Sequence, residues 1–127
     1  TVNAVNTGTI NGRVGFQSSA TGNTFVNSGT INGSVSMGAG STNSFTAVTG
    51  GSVNSGGGLA LELLGPGGLL SFAQTGVVDG GLGGNNTLIL QNSAVGTGSG
   101  STGTGTLSTA QYINFGNLRV NSGTWSV

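Results

Sequence analysis

Two acidic side chains are the residues in this chain that could act as a catalytic pair. Glu62 and Asp79 lie 17 positions apart, and two carboxyl groups can serve as acid and base when a glycosidic bond is cleaved. The sequence has no His and no Cys, which excludes a Ser–His–Asp triad, a thiol nucleophile and the usual zinc sites. Because polysaccharide-cleaving sites usually gather several charged residues, we expect both acids to be solvated charges. We predict no catalytic residues.

A glycine-rich stretch at residues 79–90 shares features with the nonapeptide of calcium-binding β-rolls. Asn85 holds the position where that nonapeptide has Asp, and no second nonapeptide follows. Calcium sites need several carboxylate or other hard oxygen ligands. We therefore predict an ordinary turn before a strand that contains Leu88 and Leu90, with no metal site and no cofactor.

Hydroxyl and aromatic side chains could bind ice or sugars, or could have a purely structural role. Thr9, Thr30 and Ser52 would stack into a flat hydroxyl array, although Thr also favours strands for its own conformational reasons. Three aromatic residues could stack on a sugar ring or fill a core: Tyr112, Phe115 and Trp125. We expect strand propensity and core packing to account for both sets.

The low charge of the chain excludes several classes of partner. Charged residues make up 3% of the sequence, the formal net charge is zero, and the two basic residues are Arg13 and Arg119. Nucleic-acid binding needs several Lys or Arg residues to neutralise phosphates, and an anionic membrane surface attracts clusters of them. No apolar stretch reaches the roughly 18 residues of a membrane-spanning helix. We predict no nucleic-acid partner and no membrane insertion of this segment.

An internal repeat organises the chain. Residues 5–16 return as residues 26–37 at an offset of 21, with eight of twelve positions identical. Residues 51–54 form a weaker third copy, and residues 120–124 repeat residues 26–30 letter for letter. A period of about 21 residues is too short for helical hairpins or propeller blades and suits one coil of a parallel β-helix.

The apolar pattern within each repeat favours strands. Val14 and Phe16 lie two positions apart, as do Val35 and Met37, and this period places both members of a pair on one face of a strand. We predict an all-β fold, a parallel β-helix (β-solenoid) of roughly six coils of about 21 residues. Parallel crossovers favour a right-handed coil. Residues 1–127 would form a single segment with a Gly/Ser/Thr-rich loop near residues 96–106.

Stacked coils lie about 4.8 Å apart, so equivalent residues of successive repeats should lie above one another. Like side chains then form columns, and stacked asparagines can hydrogen-bond as an amide ladder. The residues that we predict are Ile10, Ile31 and Val53 for an apolar column, Asn11, Asn32 and Asn54 for an amide ladder, and Trp125 in the place of Ile31 in the last copy.

Residues 115–127 read Phe-Gly-Asn-Leu-Arg-Val-Asn-Ser-Gly-Thr-Trp-Ser-Val. They resemble a motif of bacterial autotransporter passengers, Phe-x-Asn-Leu-x-Val-x-Ser-Gly-Thr-Trp-x-apolar, and the Gly-Thr-Ile-Asn-Gly units resemble repeats of haemagglutinin-like adhesins. The resemblance implies a right-handed parallel β-helix at the bacterial cell surface, attached to the outer membrane in the parent protein. Since the family's signal peptide and translocating barrel are not in this sequence, the resemblance implies a fragment of a larger protein.

Three functions are compatible with these features. The first is a rigid rod that supports adhesion to host cells, neighbouring cells or glycan surfaces through many weak contacts. The second is end-to-end self-association into an extracellular filament, because solenoid ends are open β-edges and the sequence has no evident charged cap. The third is a polysaccharide-acting β-helix enzyme, which would need a cluster of carboxylates. We predict the first, and no enzyme.

Overall fold

A computed structural model of the chain describes residues 1–54, 60–63, 70–73, 76–93 and 103–127, with the backbone described for 60–63 and 70–73. Within these ranges the chain forms sixteen strands and no helix, so they contain no helical segment able to span a membrane. In chain order the strands are β1 (Asn3–Asn6), β2 (Thr9–Asn11), β3 (Val14–Gly15), β4 (Thr24–Asn27), β5 (Thr30–Asn32), β6 (Val35–Ser36), β7 (Ser44–Val48), β8 (Ser52–Asn54), β9 (Ala60–Leu63), β10 (Leu70–Ala73), β11 (Val78–Asp79), β12 (Thr87–Gln91), β13 (Thr104–Thr106), β14 (Tyr112–Ile113), β15 (Asn117–Val120) and β16 (Thr124–Ser126).

Parallel strands from successive coils build three faces. The first face has the order β1-β4-β7-β12-β15, and the third has the order β3-β6-β11-β14. The second face is divided into β2-β5-β8 and a separate pair, β13-β16. Since the chain visits the three faces in turn and all these pairings are parallel, the predicted all-β parallel β-helix is confirmed.

The coils differ in length. The residues at the start of the first-face strands are separated by 21, 20, 43 and 30 positions: Asn3, Thr24, Ser44, Thr87 and Asn117. The first face therefore has five coils among the described residues, where roughly six of equal length were expected. Part of the predicted loop, residues 96–102, lies outside the described residues, whereas Thr104–Thr106 form β13.

The third coil is long because a hairpin is inserted into it. Strands β9 and β10 pair antiparallel, with Leu63 opposite Leu70 and Ala60 opposite Ala73. The hairpin follows β8 in the chain, and β9 lies alongside β3 and β6 of the third face. The insertion leaves the stack in register, because β7 before it pairs with β12 after it over five residues.

Aromatic rings fill the interior of the solenoid. Phe25 packs edge-on against both Phe16 and Phe45, with ring centroids 5.6 Å apart in each pair. Tyr112 continues the series at 5.9 Å from Phe45, and Phe115 follows at 6.4 Å from Tyr112. The two edge-to-face pairs add about 0.5–1.5 kcal/mol each to the burial of their apolar area, and the whole series of rings runs through four of the coils.

Glycine at one corner allows neighbouring coils to approach closely. Gly29 lies against Gly8, and a β-carbon at Gly29 would collide with the backbone of Gly8. The same approach lets the N–H of Thr30 donate to the carbonyl oxygen of Gly8 at 2.8 Å. This explains why the second repeat has glycine at this position, whereas a β-carbon at Gly8 in the first coil would meet no atom within 4 Å.

Candidate functional site

The predicted apolar column lies on the second face. Ile10 pairs with Ile31, and Ile31 pairs with Val53, in the parallel register of β2, β5 and β8. Ile31 is fully buried, since it has a coil on both sides, whereas Ile10 in the first coil is partly exposed. The column is therefore a structural feature, and of its three members Ile10 alone retains exposed surface.

The asparagines that follow this column are hydrogen-bonded to one another. Nδ2 of Asn32 donates to Oδ1 of Asn11 at 2.7 Å, and Nδ2 of Asn54 donates to Oδ1 of Asn32 at 3.2 Å. On the other side of the column, the Ser52 hydroxyl donates to the Thr30 hydroxyl at 3.5 Å. The outer surface of the second face is thus uncharged and made of amides and hydroxyls.

A second set of asparagines, which the sequence analysis missed, is buried at the corner before the first face. Oδ1 of Asn43 accepts the backbone N–H of Asn23 at 2.8 Å, and Oδ1 of Asn86 accepts that of Asn43 at 2.9 Å. Nδ2 of Asn43 donates to the carbonyl oxygens of Gly38 and Gly80, each at 2.8 Å. Each amide therefore satisfies peptide groups that would otherwise be buried without partners.

A sequence signal for these corner asparagines exists. Each one precedes Ser or Thr and then an inward apolar residue: Asn23-Thr24-Phe25, Asn43-Ser44-Phe45 and Asn86-Thr87-Leu88. The fifth coil has Gly116 at this position. The motif is short and its spacing varies between coils, so it does not stand out beside the repeat of 21 residues.

The identical pentapeptides 26–30 and 120–124 occupy different registers. Asn27 and Leu90 both pair with Ala47, and Val120 pairs with Leu90, so Val120 holds the inward position that Asn27 holds in the second coil. A shift by one residue exchanges the two faces of a strand. Letter-for-letter identity therefore does not give the same placement of side chains.

Trp125 lies in β16 and pairs with Gly105 of β13, outside the sheet that contains Ile10, Ile31 and Val53. A β-carbon at Gly105 would collide with the six-membered ring of Trp125, so the ring lies directly against the backbone of β13. Its Nε1 donates to the carbonyl oxygen of Ser122 at 3.0 Å. Tyr112 and Phe115 belong to the interior series of rings, so the three aromatic residues do not form one sugar-binding platform.

A cleft of about 500 Å³ opens next to Trp125. One wall is the corner Val48–Gly51 of the third coil, and the other wall is formed by β13 and β16. This is the place where the second face is divided, since β13 pairs with β16 and no described strand joins it to β8. We refer to this opening as the Trp125 cleft.

The expectation that Asp79 is a solvated charge is wrong. Its side chain is 4% exposed, and its Oδ1 accepts hydrogen bonds from the N–H of Gly81 at 2.9 Å and from Nδ2 of Asn114 at 2.7 Å. These donors replace water around the buried carboxylate. The side chain of Glu62 lies outside the described residues. Among those described, no three His, Cys, Asp or Glu side chains form a group that could hold a metal ion.

The fifth coil exposes apolar residues at positions that are buried in the fourth coil. Leu118 and Val120 are 54% and 56% exposed, although their partners in the fourth coil, Leu88 and Leu90, are 4% and 0% exposed. In the part of the chain that is described, β15 pairs with β12 along one edge alone. We call Leu118, Val120 and the other edge of β15 the coil-five surface.

The columns, the corner asparagines and the three faces of parallel strands define the chain as a β-solenoid. Comparison with protein-family models, with curated proteins and with solved structures gives no match to this chain. The resemblance of residues 115–127 to autotransporter passengers therefore stays a prediction from the motif itself.

Proposed function

We propose that this chain is a rigid segment of an extracellular or cell-surface bacterial protein, and that it supports adhesion to cells or glycan-coated surfaces. The observation that carries the proposal is the continuous ladder of the first face, in which five strands pair in parallel. Such a stack transmits load along its axis through backbone hydrogen bonds and needs no chemistry. The motif in residues 115–127 supports the cell-surface location.

The uncharged outer surface supports an adhesive role through many weak contacts. The amides of Asn11, Asn32 and Asn54 lie in a row, and 3% of the sequence is charged. Repeated polar groups at one spacing suit multivalent contact with another repetitive surface, because weak bonds made together give avidity. The absence of strong charge makes such contacts insensitive to salt.

Two measurements test this function. Amide hydrogen exchange on the purified chain should show slow exchange for the strands of the first face, and fast exchange throughout would contradict the rigid segment. Beads coated with the chain should attach to cultured cells several-fold better than beads coated with the Asn43→Ala chain, which we expect to be poorly folded. Equal attachment of both would contradict the adhesive part and leave a spacer.

The coil-five surface supports end-to-end assembly as a second candidate function. Ala4 is in the column that continues through Phe25, Phe45 and Leu88 to Leu118, so β1 of a second copy could extend the first face with a small residue opposite Leu118. Open β-edges readily pair with other chains.

Sedimentation velocity of the purified chain tests whether it assembles end to end. Large species that appear as unbranched fibres by electron microscopy favour a filament, and a single small species excludes it.

A further inference from the structure

We propose that the Trp125 cleft binds a neutral saccharide. The cleft measures about 500 Å³, which lies within the range of about 300–1,000 Å³ that ligand pockets cover. The inference deepens the adhesive part of the proposed function and rests on it, whereas the rigid-segment role does not depend on it, because a solenoid with an empty cleft is still rigid. The two proposals can therefore fail separately.

The cleft is a local opening in an otherwise joined pair of coils. The third and fourth coils are held together on the first face by β7 and β12, and on the third face by β11 and β14. At the corner, the N–H of Thr49 still donates to the carbonyl oxygen of Gln91 at 3.0 Å. Beyond that bond no described strand of the fourth coil pairs with β8, and the cleft opens at this place.

The residues that line the cleft determine which class of ligand it can bind. Among the described residues, those that line it include Trp125 and four residues with a hydroxyl group, Thr49, Thr104, Thr106 and Ser126, and none of the described lining residues is charged. An anionic or cationic ligand would lose water without gaining a charged partner, which costs several kcal/mol. A purely apolar ligand would leave hydroxyl and peptide groups without hydrogen bonds. A neutral polyol with an apolar face satisfies both kinds of surface.

Trp125 is partly buried: it packs against the hydrophobic core and also lines the cleft. Its one polar atom, Nε1, is committed to the carbonyl oxygen of Ser122. The ring lies against Gly105, where any larger residue would displace it. An aromatic side chain beside a small number of polar groups is the usual lining of a ligand pocket, and we expect the part of the ring that reaches the cleft to meet the apolar face of the sugar.

The experiment uses Trp125 itself as the reporter, since the chain has a single Trp. Cellobiose, maltose, lactose and N,N′-diacetylchitobiose are titrated separately while the Trp emission is recorded, with glucuronic acid and glycerol as controls. We expect a saturable change with at least one neutral disaccharide, with a dissociation constant on the order of 1 mM. Glucuronic acid and glycerol should give no saturable change. If none of the four disaccharides saturates, the proposal is overturned.

Variants that keep Trp125 locate the binding. Gly105→Ala should weaken binding at least tenfold because its β-carbon displaces the ring, whereas Gly8→Ala, which meets no atom within 4 Å, should bind as the unchanged chain does. If Gly105→Ala fails to fold by circular dichroism, Thr49→Val replaces it and should weaken binding several-fold by removing a hydroxyl from the facing wall. Unchanged affinity in the folded variant would place binding elsewhere and overturn the proposal.

Discussion

Oδ1 of Asn86 accepts the backbone N–H of Asn43 at 2.9 Å, although the two residues are 43 positions apart in the sequence. The hairpin β9–β10 lies between them in the chain. The same type of hydrogen bond nevertheless joins Asn43 to Asn86 as joins Asn23 to Asn43. The buried asparagines therefore hold the register where the length of a coil changes. Stability should be most sensitive to mutation at this corner.

Replacement of Asn43 by Ala should destabilise the fold strongly. The substitution removes hydrogen bonds to the peptide groups of Asn23, Gly38 and Gly80, and each buried group left without a partner costs about 1–3 kcal/mol. We expect a loss of at least about 3 kcal/mol in the free energy of unfolding, measured by urea denaturation. Asn11→Ala on the exposed ladder is the matched control and should cost under about 1 kcal/mol. Equal losses would contradict a special role of the corner.

Replacement by Ala should destabilise the fold more at Ile31 than at Ile10, although both residues belong to one column. Ile31 is 0% exposed and Ile10 is partly exposed, so Ile31→Ala leaves a cavity that cannot be filled from either side. Buried Ile→Ala substitutions cost about 2–5 kcal/mol, and we expect Ile31→Ala to fall in that range and Ile10→Ala below it. Thermal unfolding followed by circular dichroism ranks the two, and the reverse order would argue against the stacking described here.

The fold should lose stability at alkaline pH because of Tyr112. Burial raises the pKa of Tyr112 to about 12, above the value of about 10 in an unfolded chain. The folded state therefore keeps the phenol proton that the unfolded state loses, and this stabilisation is complete below about pH 10 and lost as the pH rises through about 12. We expect the free energy of unfolding to fall by on the order of 2 kcal/mol across this window.

The matched control for this pH dependence is Tyr112→Phe, which keeps the ring and has no group to titrate. Its stability should change less than that of the unchanged chain between about pH 10 and 12. The same slope in both chains would mean that another group, or general repulsion between charges, causes the alkaline loss.

A lysine in place of Leu118 should suppress association between chains. Leu118 is exposed at the coil-five surface, and a charge that points toward a stacking partner opposes pairing of β-edges. We expect Leu118→Lys to abolish any large species in sedimentation velocity, while Leu82→Lys, 49% exposed between β11 and β12 and in neither of the strands that would pair, leaves it. Fibres formed equally by the Leu118→Lys chain would exclude coil five as the contact.

Sequence reasoning succeeded where a repeat kept both its letters and its length. The near-identical copies at residues 5–16 and 26–37 placed Ile10 beside Ile31 and Asn11 beside Asn32, as the strand register has them. It failed where coil length varied: the corner asparagines recur at intervals of 20 and 43 positions, and no single period reveals them.

Asp79 was misplaced because tertiary contacts decide its position: it was expected in solvent, but Asn114 and the N–H of Gly81 surround its carboxylate. Trp125 lies at the centre of β16 as Ile31 lies at the centre of β5, but its strand partner is Gly105 and not a residue of the β2-β5-β8 sheet. Neither contact involves a neighbour that the repeat pattern identifies.

The register across the inserted hairpin is the central claim, and disulfide formation tests it most directly. Thr46 pairs with Ile89 across the insertion, so their Cα atoms should lie at the parallel-strand spacing of about 4.8 Å, within the range that a disulfide bridges. The chain has no Cys of its own. We predict that the Thr46→Cys, Ile89→Cys chain forms an intramolecular disulfide on mild oxidation, and that Thr46→Cys, Arg119→Cys, two coils apart, does not. Failure of the first pair, or equal bridging by the second, would contradict the solenoid register.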